Sequence, residues 1–279
     1  MRYKIVMDSA GEFTEDMKGK ADLQLVPLTL YIGNEALVDD GTIDQMELVR
    51  KIAASPECPK TACPSPQDFA EAFECDSDHI YGLTISGNLS GSFQSAKIGM
   101  NMYLEDHPDA KIHVFDSCST SGGETVVALK IIELEEEGLP FETIVEQVET
   151  FIKAKRTYFT LDNLDTLRKN GRLSRMKALA ATVLKIKPIC IGTVDGVIEQ
   201  VDQARGNNKA MVKLVEHVVK DAVDPENRVL AITYVNCYER ACMVRDALLE
   251  RIKVKRCIVQ KTGGLSTVYA NDGGIIVVI

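Results

Sequence analysis

Near-continuous apolar runs alternate with stretches of helical periodicity through the first half of the chain. "YKIVMD" at 3–8 reads as a short strand. "LQLVPLTLYI" at 23–32 reads as a second, irregular or at a sheet edge because Pro27 has no amide proton to donate. "IDQMELVRKIAA" carries helical spacing through Ile43, Met46, Leu48, Val49 and Ile52. "HIYGLTI" and "KIHVFD" are the third and fourth strands, followed by predicted helices over Ser92–Leu104 and Gly123–Glu137. Helices separating strands that are apolar on both sides predict a parallel, Rossmann-like α/β sheet covered on both faces.

After "FETIVEQVETFIKAKR", a long amphipathic helix, the pattern changes. "TYFTLD" is a strand, "LDTLRKNGRLS" a helix closed at Gly171, and "ALAATVLKI" another helix. "KPICIGTVDGVIEQVDQA" predicts a hairpin with Asp195–Gly196 as a type I′ turn pair. A helix from Asn208, the strand "RVLAITYV", a helix from Tyr238 and the strands "RCIVQK" and "GIIVVI" complete the chain. The prediction is a two-domain α/β protein. Residues 1–156 form the parallel unit, and residues 157–279 form an α+β unit with a mixed or antiparallel sheet.

Charge narrows the function. A formal net charge of −9 over 279 residues argues against a nucleic-acid or anionic-membrane surface, which needs clustered Lys and Arg. The one basic cluster, "KAKR" at 153–156, reads as the cationic end of a helix. No apolar stretch approaches the ~20 residues of a membrane span, and the N-terminus reads as a strand, so a cytoplasmic location is expected. Eight cysteines without CxxC pairs or metal-ligand spacing predict reduced, mostly buried thiols and no metal site.

Candidate chemistry collects where the strands end. Asp8–Ser9 follows the first strand, "ISGNLSGS" the third and "DSCSTSGGET" the fourth. In a parallel sheet such loops enter helix N-termini, where Ser hydroxyls and unhindered Gly amides favour a carboxylate or phosphate. One such loop is ordinary helix capping; three together predict an anion site. Asp8 and Asp116 are expected to bond loop amides, with Ser9 and Ser117 beside them. In "KTACPSPQDF", Ser65–Pro66 reads as a helix start, leaving Thr61 in a proline-flanked loop that capping does not explain. Ser90 as a nucleophile is the alternative, making the chain a serine hydrolase of lipid esters. "SGNLSGS" is not the GxSxG elbow, however, and none of His79, His107, His113 and His217 falls on a Gly-rich loop. Walker A, GxGxxG and HExxH motifs are absent from the sequence.

These segments resemble the DegV family of bacterial fatty-acid-binding proteins over essentially the whole length. The likeness rests on "DSAGEF" at Asp8, "KTACPSP" at Lys60, "LSGSFQSA" at Leu89, "DSCSTSGG" at Asp116, "LDTLRKNGRLS" at Leu164, "LKIKPI" at Leu184 and "QAR" at Gln203, in that order and spacing. The resemblance implies a non-enzymatic carrier without cofactor, holding one long-chain fatty acid in a tunnel between two domains. Thr61 and Ser90 would hold the carboxylate by their hydroxyls, with backbone from Gly91 and Ser92. The partner would be a fatty acid kinase that makes the acyl phosphate and carries the ATP, and Arg205 matches the arginine associated with that transfer. Two departures stand out. Ala270 occupies the place of a histidine that joins the carboxylate network in many members, and Cys63 falls in a loop that reads "TSQP" in relatives.

Overall fold

The computed structural model describes residues 2–173 and 186–279. In chain order the first part runs β1 (Tyr3–Asp8), β2 (Asp22–Val26), β3 (Thr29–Ile32), β4 (Glu35–Val38), α1 (Gln45–Ala54), β5 (Lys60–Ala62), α2 (Pro66–Phe73) and β6 (His79–Thr84). It continues with α3 (Ser92–Asp106), β7 (Ile112–Asp116), α4 (Gly122–Glu136) and α5 (Phe141–Ala154). The second part runs β8 (Thr157–Thr160), α6 (Asp165–Lys169), β9 (Ile186–Gly192), β10 (Ile198–Arg205), α7 (Asn207–Asp221) and β11 (Val229–Tyr234). It ends with α8 (Tyr238–Leu249), β12 (Arg256–Lys261), α9 (Gly264–Ala270) and β13 (Ile275–Val278).

Strands β2-β1-β6-β7 form a four-stranded, wholly parallel sheet. Its central strands are buried throughout because each face meets helices. Ile5, Met7, Tyr81 and Phe115 pack on α4 and α5, while Val6, Ile80 and Val114 pack on α2 and α3. The second sheet is six-stranded and mixed, in the order β10-β9-β8-β13-β11-β12, with only the β11–β12 pair parallel. Alternation divides its residues. Tyr158, Ile232, Ile275 and Val277 pack on α7 and α8, whereas Phe159, Leu161, Ile276 and Val278 face the other way, towards the first sheet.

Helix α4 joins the two sheets and is buried nearly all round. It comes this close because it opens on two glycines. A Cβ on Gly122 would approach Ala231 Cβ and Thr233 Cγ2 at 3.2 Å, and one on Gly123 would lie 1.9 Å from Ser119 Oγ.

Four expectations need correction. "LQLVPLTLYI" is not one strand: Pro27 interrupts the ladder, so β2 stays in the parallel sheet while β3 joins a separate antiparallel sheet, β4-β3-β5. Thr61 is not in a loop but in β5, paired with Leu30. The β9–β10 turn is not type I′, because Gly196 alone has a positive φ. Bonds from Gly196 N to Thr193 O and from Thr193 N to Val197 O make it a type I turn with a glycine bulge. "KAKR" is only partly a helix end. The Arg156 guanidinium caps the carbonyls of Lys153, Ala154 and Lys155, but Lys155 is buried and its amine donates to Ser117 O. Burial lowers that amine to about 8. The cysteines are all free, with Cys190 buried, Cys63 exposed and the rest half-buried. The helix expected over "ALAATVLKI" lies, but for Ile186, outside the described residues.

Candidate functional site

The loops after β1, β6 and β7 leave the carboxyl ends of three adjacent strands, and two carboxylates strap them together. Asp8 accepts from Ala10 N at 3.1 Å and from Ile85 N at 3.2 Å, joining the first loop to the second. Asp116 accepts from Cys118 N at 2.8 Å and from Gly87 N at 3.1 Å, joining the third loop to the second. Ser9 Oγ accepts from Leu28 N, and Ser117 Oγ accepts from Ser119 N. The three serines of "SGNLSGS" differ in their surroundings. Ser86 is buried and donates to Gly196 O of the β9–β10 turn, and Ser92 is buried at the start of α3. Ser90 alone is half-buried, its hydroxyl 3.2 Å from that of Ser92.

Behind this frame lies an acid pair that the sequence reading missed. Asp8 and Glu124, a wholly buried residue on the first turn of α4, lie close enough for their charges to act on one another. Neither Glu124 oxygen has a hydrogen-bond partner in the surrounding protein. Two buried carboxyl groups this close oppose each other's ionisation. Burial pushes Asp8 up to about 6; burial, then the charge of Asp8, pushes Glu124 well above the usual carboxylate range. Both acids are therefore biased towards their neutral forms, while Asp8 accepts from the loop amides.

Between the two sheets lies a cavity. Ile85, Leu89, Phe159, Leu161, Leu265 and Ile276 form much of its wall. Its length follows β8 from Thr157 to Leu161, about 13 Å at the rise of a strand. At the Thr157 end the Thr157 and Ser119 hydroxyls satisfy each other at 2.7 Å, so that end presents no free polar group from them. Ala270 and Tyr269 line the Leu161 end. Arg172, also in the lining, is the one charged residue there among the described residues. Its Nε donates to Leu89 O at 3.1 Å, and its position follows from the close of α6, where Gly171 takes a φ of +75°.

Thr61, Ser90, Gly91 and Ser92 are not in the described wall; they stand beside it. Thr61 Oγ1 lies 3.0 Å from the Tyr269 hydroxyl, and Ser90 directly follows Leu89. A Cβ on Gly91 would lie 3.1 Å from Cys63 Sγ, which, two residues from Thr61, shares a strand face with it. Arg205 ends the edge strand β10, exposed and outside the cavity lining. The four histidines are engaged elsewhere: His79 with Glu135, His107 with Tyr103 O, His113 with Glu149 and His217 with Asp202. Arg172 falls just past the helix closed at Gly171, and Tyr269 between two predicted strands. Nothing in their local sequence marks them as cavity-facing.

Two α/β layers enclose a mainly apolar cavity whose described lining carries one guanidinium, Arg172, and the hydroxyls of Ser119, Thr120, Thr157, Ser266 and Tyr269. The chain belongs to the DegV family, whose model, described as "Uncharacterised protein, DegV family", matches residues 2–279. It is similar to a DegV-family protein of Ruminococcus gnavus, whose crystal structure was refined with vaccenic acid. The two share 48% identity and a TM-score of 0.97, covering 100% of this chain and 99% of that one. It is also similar to the Fatty Acid Kinase (Fak) B3 protein of Streptococcus pneumoniae loaded with linoleic acid, at 32% identity and TM-score 0.91, covering 100% and 99%. A DegV domain-containing protein of Streptococcus pneumoniae (strain ATCC BAA-255 / R6) is 33% identical over 279 residues, 99% of this chain and 98% of the relative. No described helix is long and apolar enough to cross a membrane.

Proposed function

We propose that this protein binds one long-chain fatty acid in the cavity between units 1–156 and 157–279 and offers its carboxylate to a partner fatty acid kinase. The observation that carries the reading is the cavity wall: mostly apolar along β8, with one charged residue among the described ones, Arg172, and with Tyr269, whose hydroxyl meets Thr61. An acyl chain of ~14 methylenes gains on the order of 11 kcal/mol on burial, before ordering costs. Charge-assisted hydrogen bonds from Thr61 and Ser90, backbone at Gly91 and Ser92, and the Arg172 charge then fix which end faces out. Relatives of 32% and 48% identity with linoleic and vaccenic acid support the ligand class, and the first of these, by its name, supports the kinase coupling. Arg205 is exposed, as contact with a partner requires.

Native mass spectrometry of the purified protein, before and after organic extraction, tests the binding. A mass increment equal to one fatty acid is expected. The bare chain in several preparations, with no uptake of added oleic acid, would overturn the reading.

A further inference from the structure

We propose that the phenolic hydroxyl of Tyr269 is a direct donor to the ligand carboxylate and, with Thr61, forms the group that selects an acid over an uncharged amphiphile. The proposal rests on the fatty-acid reading and names a head-group residue of that same site. Tyr269 lines the cavity, and its hydroxyl is 3.0 Å from Thr61 Oγ1. Two hydroxyls in mutual contact use only one of their two protons on each other, so at least one proton remains to be donated outward. A carboxylate arriving beside Arg172 accepts that proton, and a second once the mutual bond opens.

The helix that carries Tyr269 is fixed at both ends. Buried Asp39 accepts from Gly264 N at 3.1 Å and from Leu265 N at 2.7 Å, and Glu12 accepts from Gly263 N at 2.8 Å. At the far end Asn271 Nδ2 donates to Thr166 Oγ1 at 3.1 Å. A phenol held by such a frame is pre-positioned, so little entropy is lost when it bonds a ligand. The next residue, Ala270, is buried, lines the same cavity and offers no polar atom beyond its backbone. No histidine lines the cavity among the described residues. The side-chain donors among the described residues are therefore hydroxyls and the Arg172 guanidinium.

Equilibrium binding of oleic acid and of oleyl alcohol to the parent, Tyr269→Phe and Thr61→Val tests this, with circular dichroism to verify folding. Tyr269→Phe should weaken oleic acid about tenfold and oleyl alcohol less than twofold. Thr61→Val should reproduce the selective loss, which keeps the test alive if the phenylalanine variant does not fold. Equal losses for acid and alcohol would make the phenol mere wall packing and overturn the proposal. So would unchanged oleic acid affinity in Tyr269→Phe. A parent that binds neither ligand overturns the fatty-acid reading itself, a result distinct from either.

Discussion

Replacing Glu124 by glutamine and by methionine tests whether the acid pair beneath the serine loops shares a proton. Glutamine keeps an N–H that can donate to Asp8 at every pH; methionine keeps the volume and removes the donor. Glu124 is wholly buried, and Asp8 holds Ala10 N and Ile85 N in place. Loss of a hydrogen bond to a charged group costs about 1.5–3 kcal/mol, so Glu124→Met should be destabilised by that amount at neutral pH while Glu124→Gln stays within about 0.5 kcal/mol of the parent. The pH dependence has a definite sign. Both acids have folded pKa values above their unfolded ones, so the folded state holds protons that the unfolded state has released. Stability then falls as pH rises. For Asp8, the rise from 3.8 to about 6 corresponds to roughly 3 kcal/mol lost between pH 4 and 6. The Glu124 contribution is likewise lost as pH rises and is absent from Glu124→Gln, which should therefore gain on the parent in alkaline buffer. Urea denaturation at pH 5, 7 and 9, followed by circular dichroism, reads all three proteins. If methionine and glutamine variants are equally stable at every pH, no proton bridges the two carboxyl groups.

Other consequences are simpler to read. Thr61→Ala and Ser90→Ala should each weaken oleic acid binding by roughly 1–3 kcal/mol in isothermal titration, with thermal stability nearly unchanged because both side chains are only part-buried. Unaltered affinity in both would remove them from the head-group site. Ala270→His should raise acyl-phosphate formation with a compatible fatty acid kinase, and Arg205→Ala should abolish it without affecting binding. Phosphotransfer unaffected by either change would sink both assignments. Gly123→Ala should lower stability by about 1–3 kcal/mol, because its Cβ would lie 1.9 Å from Ser119 Oγ and displace that hydroxyl from Thr157. A melting temperature equal to the parent's would show that the approach is not so tight.

The chain's local pattern determined every element whose period is long or whose both faces are buried. β1, β6 and β7 read as parallel strands because helices cover each side, and the helices α1, α3, α4 and α5 show 3.6-residue spacing or continuous burial. The start of α2 was legible from Ser65, which makes a full capping box with Asp68. The serine loops were legible as a group, since a loop leaving a parallel strand has a fixed destination. Tertiary structure decided the rest. Whether β3 stays beside β2 depends on where the chain turns at Pro27, and the partners Leu30–Thr61 are 31 residues apart. The seven residues of α9 are too few to show a period, yet they bring Tyr269 to Thr61, 208 residues away in sequence. Arg172, Glu124 and Lys155 look like surface charges in sequence, because propensity and periodicity are local properties. Burial and the pairing of charges depend on which distant face packs against them, here the second sheet and the loops strapped by Asp8 and Asp116.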